Sequence, residues 1–598
     1  MRLTENAHTV LRVRYLLKDE QGRVIETPEE MLLRVAKTAA APEKLYGGTP
    51  QKWEKKFHDM MDNLHFLPNT PMLINAGKDL GQLAACFVLP VDDSMKSIFD
   101  SLKNAALILQ SGGGTGFSFS KLRPRADLVK STGGIASGPV SFMKIYNTAT
   151  EVIKQGGARR GANMGILRVD HPDIIEFIKI KRNEKELTNF NISIAVTGKF
   201  MKALKDNSRY DLINPRNGRI AGQLKAKDVF KEIVESTWET GDPGLVFINR
   251  INRDNPTPHI GKIESTNPCG EQPLLPFEAC VLGSVNLARM VVKKGSRIQG
   301  FKDSSEGKNN PSAAGPLDPW TPVVEIDWQL LASTVKLAVR FLDNAIDANK
   351  YPVPEIERMH KGNRKIGLGV MGWADLLIKL GIRYNSKEAF KLAREVMSFI
   401  REKAREASSE LAREKGVFPN FKGSIYDTPE IIAKGGYRNA TTTTIAPTGT
   451  LSIIAGCSSG IEPLFAIAYK RQALDTTLHE VHPLFIETAK KRGFYSAGLI
   501  RKISVKGMLK GFKEIPPDVK KLFVTSHEIS PEEHIEIQAA FQEFTDNAVS
   551  KTVNLKHRAQ RDDIAKAFIL AYEKGCKGIT VFRYGSKHAP LEKYEESE

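Results

Sequence analysis

The stretch STNPCGEQPLLPFEAC, residues 265–280, holds two of the chain's five cysteines, eleven positions apart. Cys269 stands between Pro268 and Gly270, which predicts a tight turn rather than a packed helix or strand. Asn267 flanks the sulfur on one side. Glu271 follows two residues on and shares a face with it if the turn is extended. Burial as a small hydrophobe is the usual state of an isolated cysteine, but a loop tip is a poor place for it. A nucleophilic cysteine wants a histidine base, and this stretch has none. An amide, a sulfur and a carboxylate without imidazole suit another task, in which sulfur takes a hydrogen atom and the carboxylate takes a proton.

The remaining cysteines, Cys86, Cys457 and Cys576, are too few and too scattered for a secreted disulfide framework. No C-x-x-C or H-E-x-x-H occurs, so zinc-ribbon, thioredoxin-type and zincin chemistry are excluded and no metal site is expected. GLGVMG (367–372) matches G-x-G-x-x-G, but HKGNRKI before it is no buried parallel strand. The acidic residue expected about twenty positions on falls at Glu388, inside a helical pattern. A close-packed strand-to-helix turn is the reading, and dinucleotide binding is rejected. In APTGTLSIIAG, residues Thr448, Gly449 and Thr450 open an apolar segment, giving a plain N-cap or an anion site. The missing Lys rules out a Walker-type loop.

The elements that must hold these residues alternate between apolar strand-like runs and amphipathic helices, an α/β pattern. CFVLPV (86–91), NFNISIAV, KTVNL and CKGITVF read as strands. TPEEMLLRVAKTAA, SMKSIFDSLKNAALILQ and DWQLLASTVKLAVRFLDNAID read as helices. The long helix after NSKEAF is expected to start on a capping box of Asn385 and Glu388 and stop at Gly416. SGGGTGFSFSKL is read as a glycine turn, and 293–319, rich in Gly, Pro, Ser and Asn, as an exposed insertion.

At 598 residues the chain is too long for one ordinary core but fits a large barrel with an appended domain. A net charge of +18 attracts anions, phosphorylated ligands or nucleic acid, or reflects a generally basic surface. The Lys and Arg are spread along the whole chain with no RNP or finger pattern, so nucleic-acid binding is not expected. The first thirty residues lack a signal-peptide core and no run nears 18 apolar residues. No membrane association is expected, and a cytoplasmic location is.

NPCGE followed by Cys280 resembles the finger-loop segment of ribonucleotide reductase large subunits. So do PNTPMLINAG (68–77), the segments around Cys86, IYNTATEVIKQGGARRGANMGILRVDHPDIIEFIKIKR, RKIGLGVMGWADLL, APTGTLSIIAG and SGIEPLF, all in family order from about residue 5 to 588. No adjacent tyrosine pair stands in GITVFRYGSK, only Phe582 and Tyr584, and there is no C-terminal glycyl-radical loop. The opening and the ending look most like the adenosylcobalamin-dependent class. A large subunit that takes its radical from a metal-containing partner is the alternative, and a nucleotide-sensing homologue a more distant one.

The resemblance implies a ten-stranded α/β barrel of two five-stranded parallel halves with a central finger loop (81–598), after a small, mainly helical region (1–80). It implies adenosylcobalamin as cofactor and a ribonucleotide, more often a diphosphate, as substrate. Cys269 would be the thiyl site and Glu271 the proton acceptor. Asn267 would position the ribose hydroxyls, and Cys86 and Cys280 would be the reducing pair. Thr70, Ala85, Gly114, Thr448, Gly449 and Thr450 match substrate-contacting positions. Asp93, Ser94, Arg123, Arg159 and Arg160 match positions that bind deoxynucleotide effectors at a homodimer interface. Relatives usually carry a C-terminal cysteine pair that re-reduces the active-site disulfide. This sequence closes on LEKYEESE without one. Either the natural chain continues, or a thioredoxin-like protein or external dithiol does that work. No amino-terminal ATP cone is expected, because the likeness begins almost at Met1.

Overall fold

The computed structural model describes residues 3–129, 133–153, 162–293, 324–473 and 476–586. Three helices, Glu5–Arg14, Pro28–Ala40 and Pro50–Asp62, form the amino-terminal layer. The second begins as its sequence predicts. Thr27 accepts from the Glu30 N–H, the Glu30 carboxylate returns the bond, and Pro28 fills the first turn.

Five parallel strands follow: Cys86–Leu89, Gly114–Ser118, Asn163–Arg168, Phe190–Val196 and Gly244–Phe247, each paired with the next. A second parallel set starts with Ala279–Asn286 beside Ile366–Met371. It continues through bridges from Leu368 to Thr443 and from Ile445 to Val549, into Thr552–Leu555 and then Gly578–Arg583. The two sets meet antiparallel at both seams, Cys86 opposite Cys280 and Leu245 opposite Ile579. Closure removes the open edges. The result is the expected barrel of two five-stranded parallel halves. A short strand, Phe66–Pro68, pairs antiparallel with the second half of Ala279–Asn286.

Helices Trp328–Ala348 and Lys387–Lys415 pack against each other outside the second half. A buried charge network joins this pair to the amino-terminal layer. Arg364 holds Asp343 at 2.9 Å and Asp347 at 2.8 Å, while Glu43 takes Arg340 at 2.8 Å and Lys415 at 3.0 Å. Among the described residues no helix is long and apolar enough to cross a membrane.

Three local expectations need correction. The long helix is capped by Ser386, whose side chain accepts from the Ala389 N–H, and not by an Asn385–Glu388 box; Asn385 instead donates to Glu533. Its stop at Gly416 stands. SGGGTGFSFSKL is a turn only at its start, since Gly114–Ser118 is a central barrel strand. In GLGVMG the strand is the motif itself, Ile366–Met371, and only Gly372, at φ +77°, makes the turn into the next helix. Both glycine runs misled for one reason: most of their missing side chains make room for packed neighbours, Pro268 and Thr266 at 114 and 116, Leu282 and Thr444 at 367 and 369, rather than for a bend. Most of the 293–319 insertion lies outside the described residues.

Candidate active site

Residues 265–274 form a hairpin that enters the barrel. Ser265–Thr266 pairs antiparallel with Pro273–Leu274, and Asn267 to Gln272 make the tip. Gly270, at φ +80°, bends that tip, so simple alternation does not hold. Cys269 is exposed, whereas Asn267 and Glu271 are buried. The tip is closed on itself: the Asn267 N–H donates to the Gln272 carbonyl (3.2 Å), and the Gln272 N–H to Asn267 Oδ1 (2.9 Å).

Both barrel halves grip the hairpin. From the first half, Asn191 Nδ2 donates to the Pro268 carbonyl at 2.8 Å. From the second, Thr444 Oγ1 and the Ala548 N–H each donate to the Glu271 carbonyl at 2.9 Å. Gly114 and Gly116 let it approach the wall. A Cβ at 116 would lie 1.8 Å from the Thr266 carbonyl oxygen, and one at 114 would lie 3.0 Å from Pro268 Cγ. The base of the hairpin is fixed by fully buried Glu278, which accepts from Lys365 Nζ (2.7 Å), Asn363 Nδ2 (2.5 Å) and the Leu275 N–H (2.7 Å).

Cys86 and Cys280 face each other directly across the seam. Opposed residues of an antiparallel pair have Cα atoms about 4.5–5.5 Å apart, inside the roughly 4.4–6.8 Å that a disulfide spans. Both are thiols here. Burial, reinforced by Glu278 and Glu271 and only partly offset by Lys365, pushes the Cys280 thiol well up, so it stays protonated. Asn267 Nδ2 donates to Cys86 Sγ at 3.2 Å, which links the tip to the pair.

Of the expected substrate residues, Ala85 and Gly114 border that pair directly. Ala85 donates its N–H to the Cys280 carbonyl and accepts the Gly114 N–H at 2.8 Å. Ala85 and Ala446 pack against Cys86, Leu274, Cys280 and Leu282. The Asn69 N–H donates to the Leu282 carbonyl, which brings Thr70, the first residue of helix Thr70–Asn75, to the same end. Thr448 stands at φ +54°, a strained setting for a β-branched residue, with its Oγ1 accepting from the Gly460 N–H at 2.7 Å. Gly449 and Thr450 follow, and Thr450 is the N-cap of the five-residue helix Leu451–Ala455.

The hairpin tip, Pro268, Cys269 and Gly270, also lines a cavity of about 1210 Å³. Its wall includes apolar Leu245, Val246, Ile453, Leu464 and Val481, with Phe582 and Tyr584. Its polar part includes Lys551, fully buried, which donates to Glu462 (2.6 Å) and His534 Nδ1 (2.9 Å). Burial lowers the Lys551 pKa, and Glu462 opposes that shift.

The expected effector residues also meet. Arg123 Nε pairs with Asp93 at 2.8 Å, and Ser94 caps helix Met95–Gln110. Arg159 and Arg160 lie outside the described residues. Sequence reasoning missed Asn191 and the pair of Glu278 with Lys365. A polar residue interrupting the apolar run FNISIAV was the signal for Asn191; the others left none.

The fold and site together are a closed ten-stranded α/β barrel, a cysteine-tipped hairpin threaded into it, and two cysteines opposite each other across a seam. The family model described as "Ribonucleotide reductase, all-alpha domain" matches residues 1–81, and "Ribonucleotide reductase, barrel domain" matches residues 84–582. The chain belongs to the ribonucleotide reductase large-subunit family. It is 48% identical to the vitamin B12-dependent ribonucleoside-diphosphate reductase of Thermoplasma acidophilum, over 98% of this chain and 80% of that protein. Its identity to the protein of the same description from Mycobacterium tuberculosis is 46%, over 99% of this chain and 80% of that one. In structure it is similar to the Actinobacillus ureae class Id ribonucleotide reductase alpha subunit, with a TM-score of 0.75 over 98% of each chain at 22% identity.

Proposed function

We propose that this chain reduces ribonucleoside diphosphates to 2′-deoxyribonucleoside diphosphates by a thiyl-radical mechanism that depends on adenosylcobalamin. The observation that carries the reading is the three-cysteine arrangement, Cys269 at a gripped tip and Cys86 opposite Cys280 across the seam. The two relatives above, nearly half identical, are described as vitamin B12-dependent. The cavity next to Cys269 fits such a cofactor. At about 1210 Å³ it exceeds the roughly 300–1,000 Å³ of an ordinary small-molecule pocket, and much of its wall is apolar. Leu245, Val246, Ile453, Leu464 and Val481 would hold the corrin, with Glu462, partly exposed and held by Lys551, available to its polar groups.

Adenosylcobalamin, when bound, supplies the oxidising equivalent that turns the Cys269 thiol into a thiyl radical. Cys269 then removes the 3′ hydrogen atom of the ribose, while Glu271 takes the 3′-hydroxyl proton and Asn267 orients the hydroxyl edge. The 2′-hydroxyl leaves as water. Cys86 and Cys280 supply two electrons and two protons and end as a disulfide, a bond their opposed positions permit without moving backbone. Cys269 then returns the abstracted hydrogen atom to C3′ and Glu271 returns its proton to the 3′ oxygen, which leaves Cys269 as it stood before abstraction. The strained 448–450 turn and Thr70 hold the phosphates and sugar, with Ala85 and Gly114 beside them. A thioredoxin-like protein or an external dithiol returns the disulfide to thiols.

The functional unit is a homodimer. Helices Met95–Gln110 and Pro139–Val152 pack together and expose Met95, Phe99, Ile145 and Val152, an apolar face suited to a second copy. Asp93, Ser94 and Arg123, at the start of the first of these helices, receive deoxynucleotide effectors, and Arg159 and Arg160 relay effector identity to base choice.

Anaerobic turnover with adenosylcobalamin, dithiothreitol and each ribonucleoside diphosphate tests the reading. Wild-type protein should form deoxynucleotide without any metal-containing partner. Cys269→Ala should form none yet still bind substrate, and Cys86→Ser or Cys280→Ser should stall after hydrogen abstraction. Full rates in all three variants would refute the mechanism.

A further inference from the structure

We propose that Arg14, from the amino-terminal helical layer, is the cation that binds the terminal phosphate of the nucleoside diphosphate. This rests on the ribonucleotide reading above and adds a residue to it. Arg14 is the last residue of helix Glu5–Arg14, and its Nη1 donates to Thr450 Oγ1 at 3.3 Å, across 436 residues of sequence. The next residue, Tyr15, is buried, and its hydroxyl is 3.0 Å from Thr70 Oγ1. Two consecutive residues of one helix end therefore touch both separated arms, 70 and 448–450, assigned to substrate. The helix is held along its length as well. At its other end, Thr4 Cγ2 is 3.9 Å from where a Cβ of Gly456 would stand, so it runs beside the Thr450–Gly456 segment.

The hydrogen-bond polarity points to an anion. Thr450 Oγ1 accepts from Arg14, and Thr448 Oγ1 accepts from the Gly460 N–H. Each hydroxyl oxygen is thus oriented by an N–H and keeps its own O–H to donate. Two hydroxyl donors and a guanidinium converge on one turn. A phosphate dianion satisfies such a set, and a guanidinium offers it a paired-donor geometry that an ammonium lacks. Arg14 is half-buried, so its charge is screened less there than on an open surface.

Titration calorimetry with the full chain tests this, using a nucleoside diphosphate and the matching monophosphate as probes. Loss of one charge-assisted contact corresponds to a roughly tenfold to hundredfold change in Kd. Arg14→Gln should weaken diphosphate binding by about that factor and change monophosphate binding by less than about twofold. Arg14→Lys should recover part of the loss. Tyr15→Phe, which removes the Thr70 contact but no charge, should weaken both nucleotides equally. If wild-type protein binds the diphosphate and Arg14→Gln binds it as tightly, the assignment to Arg14 is wrong. If Arg14→Gln weakens both nucleotides equally, Arg14 only supports the turn and the assignment is again wrong. If wild-type protein binds no ribonucleotide, the ribonucleotide reading itself fails and Arg14 falls with it.

Discussion

Replacing Gly116 by alanine should disable the enzyme while leaving it folded. The added Cβ would sit 1.8 Å from the Thr266 carbonyl oxygen. An ordinary close C···O contact is about 3.3 Å, so one backbone segment must retreat by about 1.5 Å. Neither is a flexible side-chain end: Gly116 is in the middle of a central strand, and Thr266 is in the stem of the hairpin three residues before Cys269. The wall is held by neighbours on both sides, so the hairpin yields. Overpacking of this kind costs about 1–3 kcal/mol in stability, tolerable for a barrel of this size. Displacing a reacting group by about 1 Å can cost on the order of 100-fold in rate, and in the proposed mechanism the Cys269 sulfur must meet one particular hydrogen atom. Deoxynucleotide formation should therefore fall at least about 100-fold, with the far-ultraviolet circular dichroism spectrum unchanged. Gly222→Ala, where nothing lies within 4 Å of the added carbon, is the control and should shift stability by less than about 0.5 kcal/mol. A Gly116→Ala enzyme working within about threefold of the wild-type rate would show that the hairpin is not pressed against this wall.

Three further outcomes are expected. Brief alkylation with iodoacetamide near pH 8, read by peptide mass spectrometry, should modify Cys269 first. Cys280 and Cys576 should be spared, because both are buried and burial pushes the Cys576 thiol up to about 12. Lys365→Met strands the buried Glu278 carboxylate at the base of the hairpin; breaking such a pair costs about 3–5 kcal/mol, so chemical denaturation should shift by that amount, and an unchanged midpoint would contradict the burial argument. Burial favours protonating Glu43, yet hydrogen bonds from Arg340 and Asn344 and the Lys415 charge hold its pKa at about 2, below the 4.5 of an ordinary glutamate. The stability this carboxylate contributes is therefore complete above about pH 4.5 and lost as the pH falls toward 2. The Tm gap between wild type and Glu43→Gln should narrow over that range; a constant gap would mean that Glu43 does not titrate as described.

How much could be read in advance depended on how local each feature is. The Pro268–Gly270 turn and the periodic helices were legible because each rests on neighbours a few residues apart and on backbone preferences that need no partner. The Ser386 cap was missed by one position because Asn385 and Ser386 are both good caps, and tertiary contacts chose between them: Asn385 is drawn to Glu533. Gly114, Gly116 and the glycines of GLGVMG were visible as residues, but their purpose was not. Gly369 shows the reason, since a Cβ there would meet the Thr444 carbonyl oxygen at 2.4 Å, a contact that exists only when the second half of the barrel forms.

The sequence by itself determined that a cysteine would occupy a turn between an amide and a carboxylate, inside an α/β architecture. Family likeness named the partners of that cysteine, but tertiary structure alone set them in place. Closure of the barrel fixes the register at the seam and so puts Cys86 opposite Cys280. The same closure carries Asn267 to Cys86 across 181 residues, and the packing of the amino-terminal layer brings Arg14 to Thr450 across 436. Such contacts depend on strand stagger and layer packing, which sum weak preferences over the whole chain, and no window of neighbouring residues contains that sum.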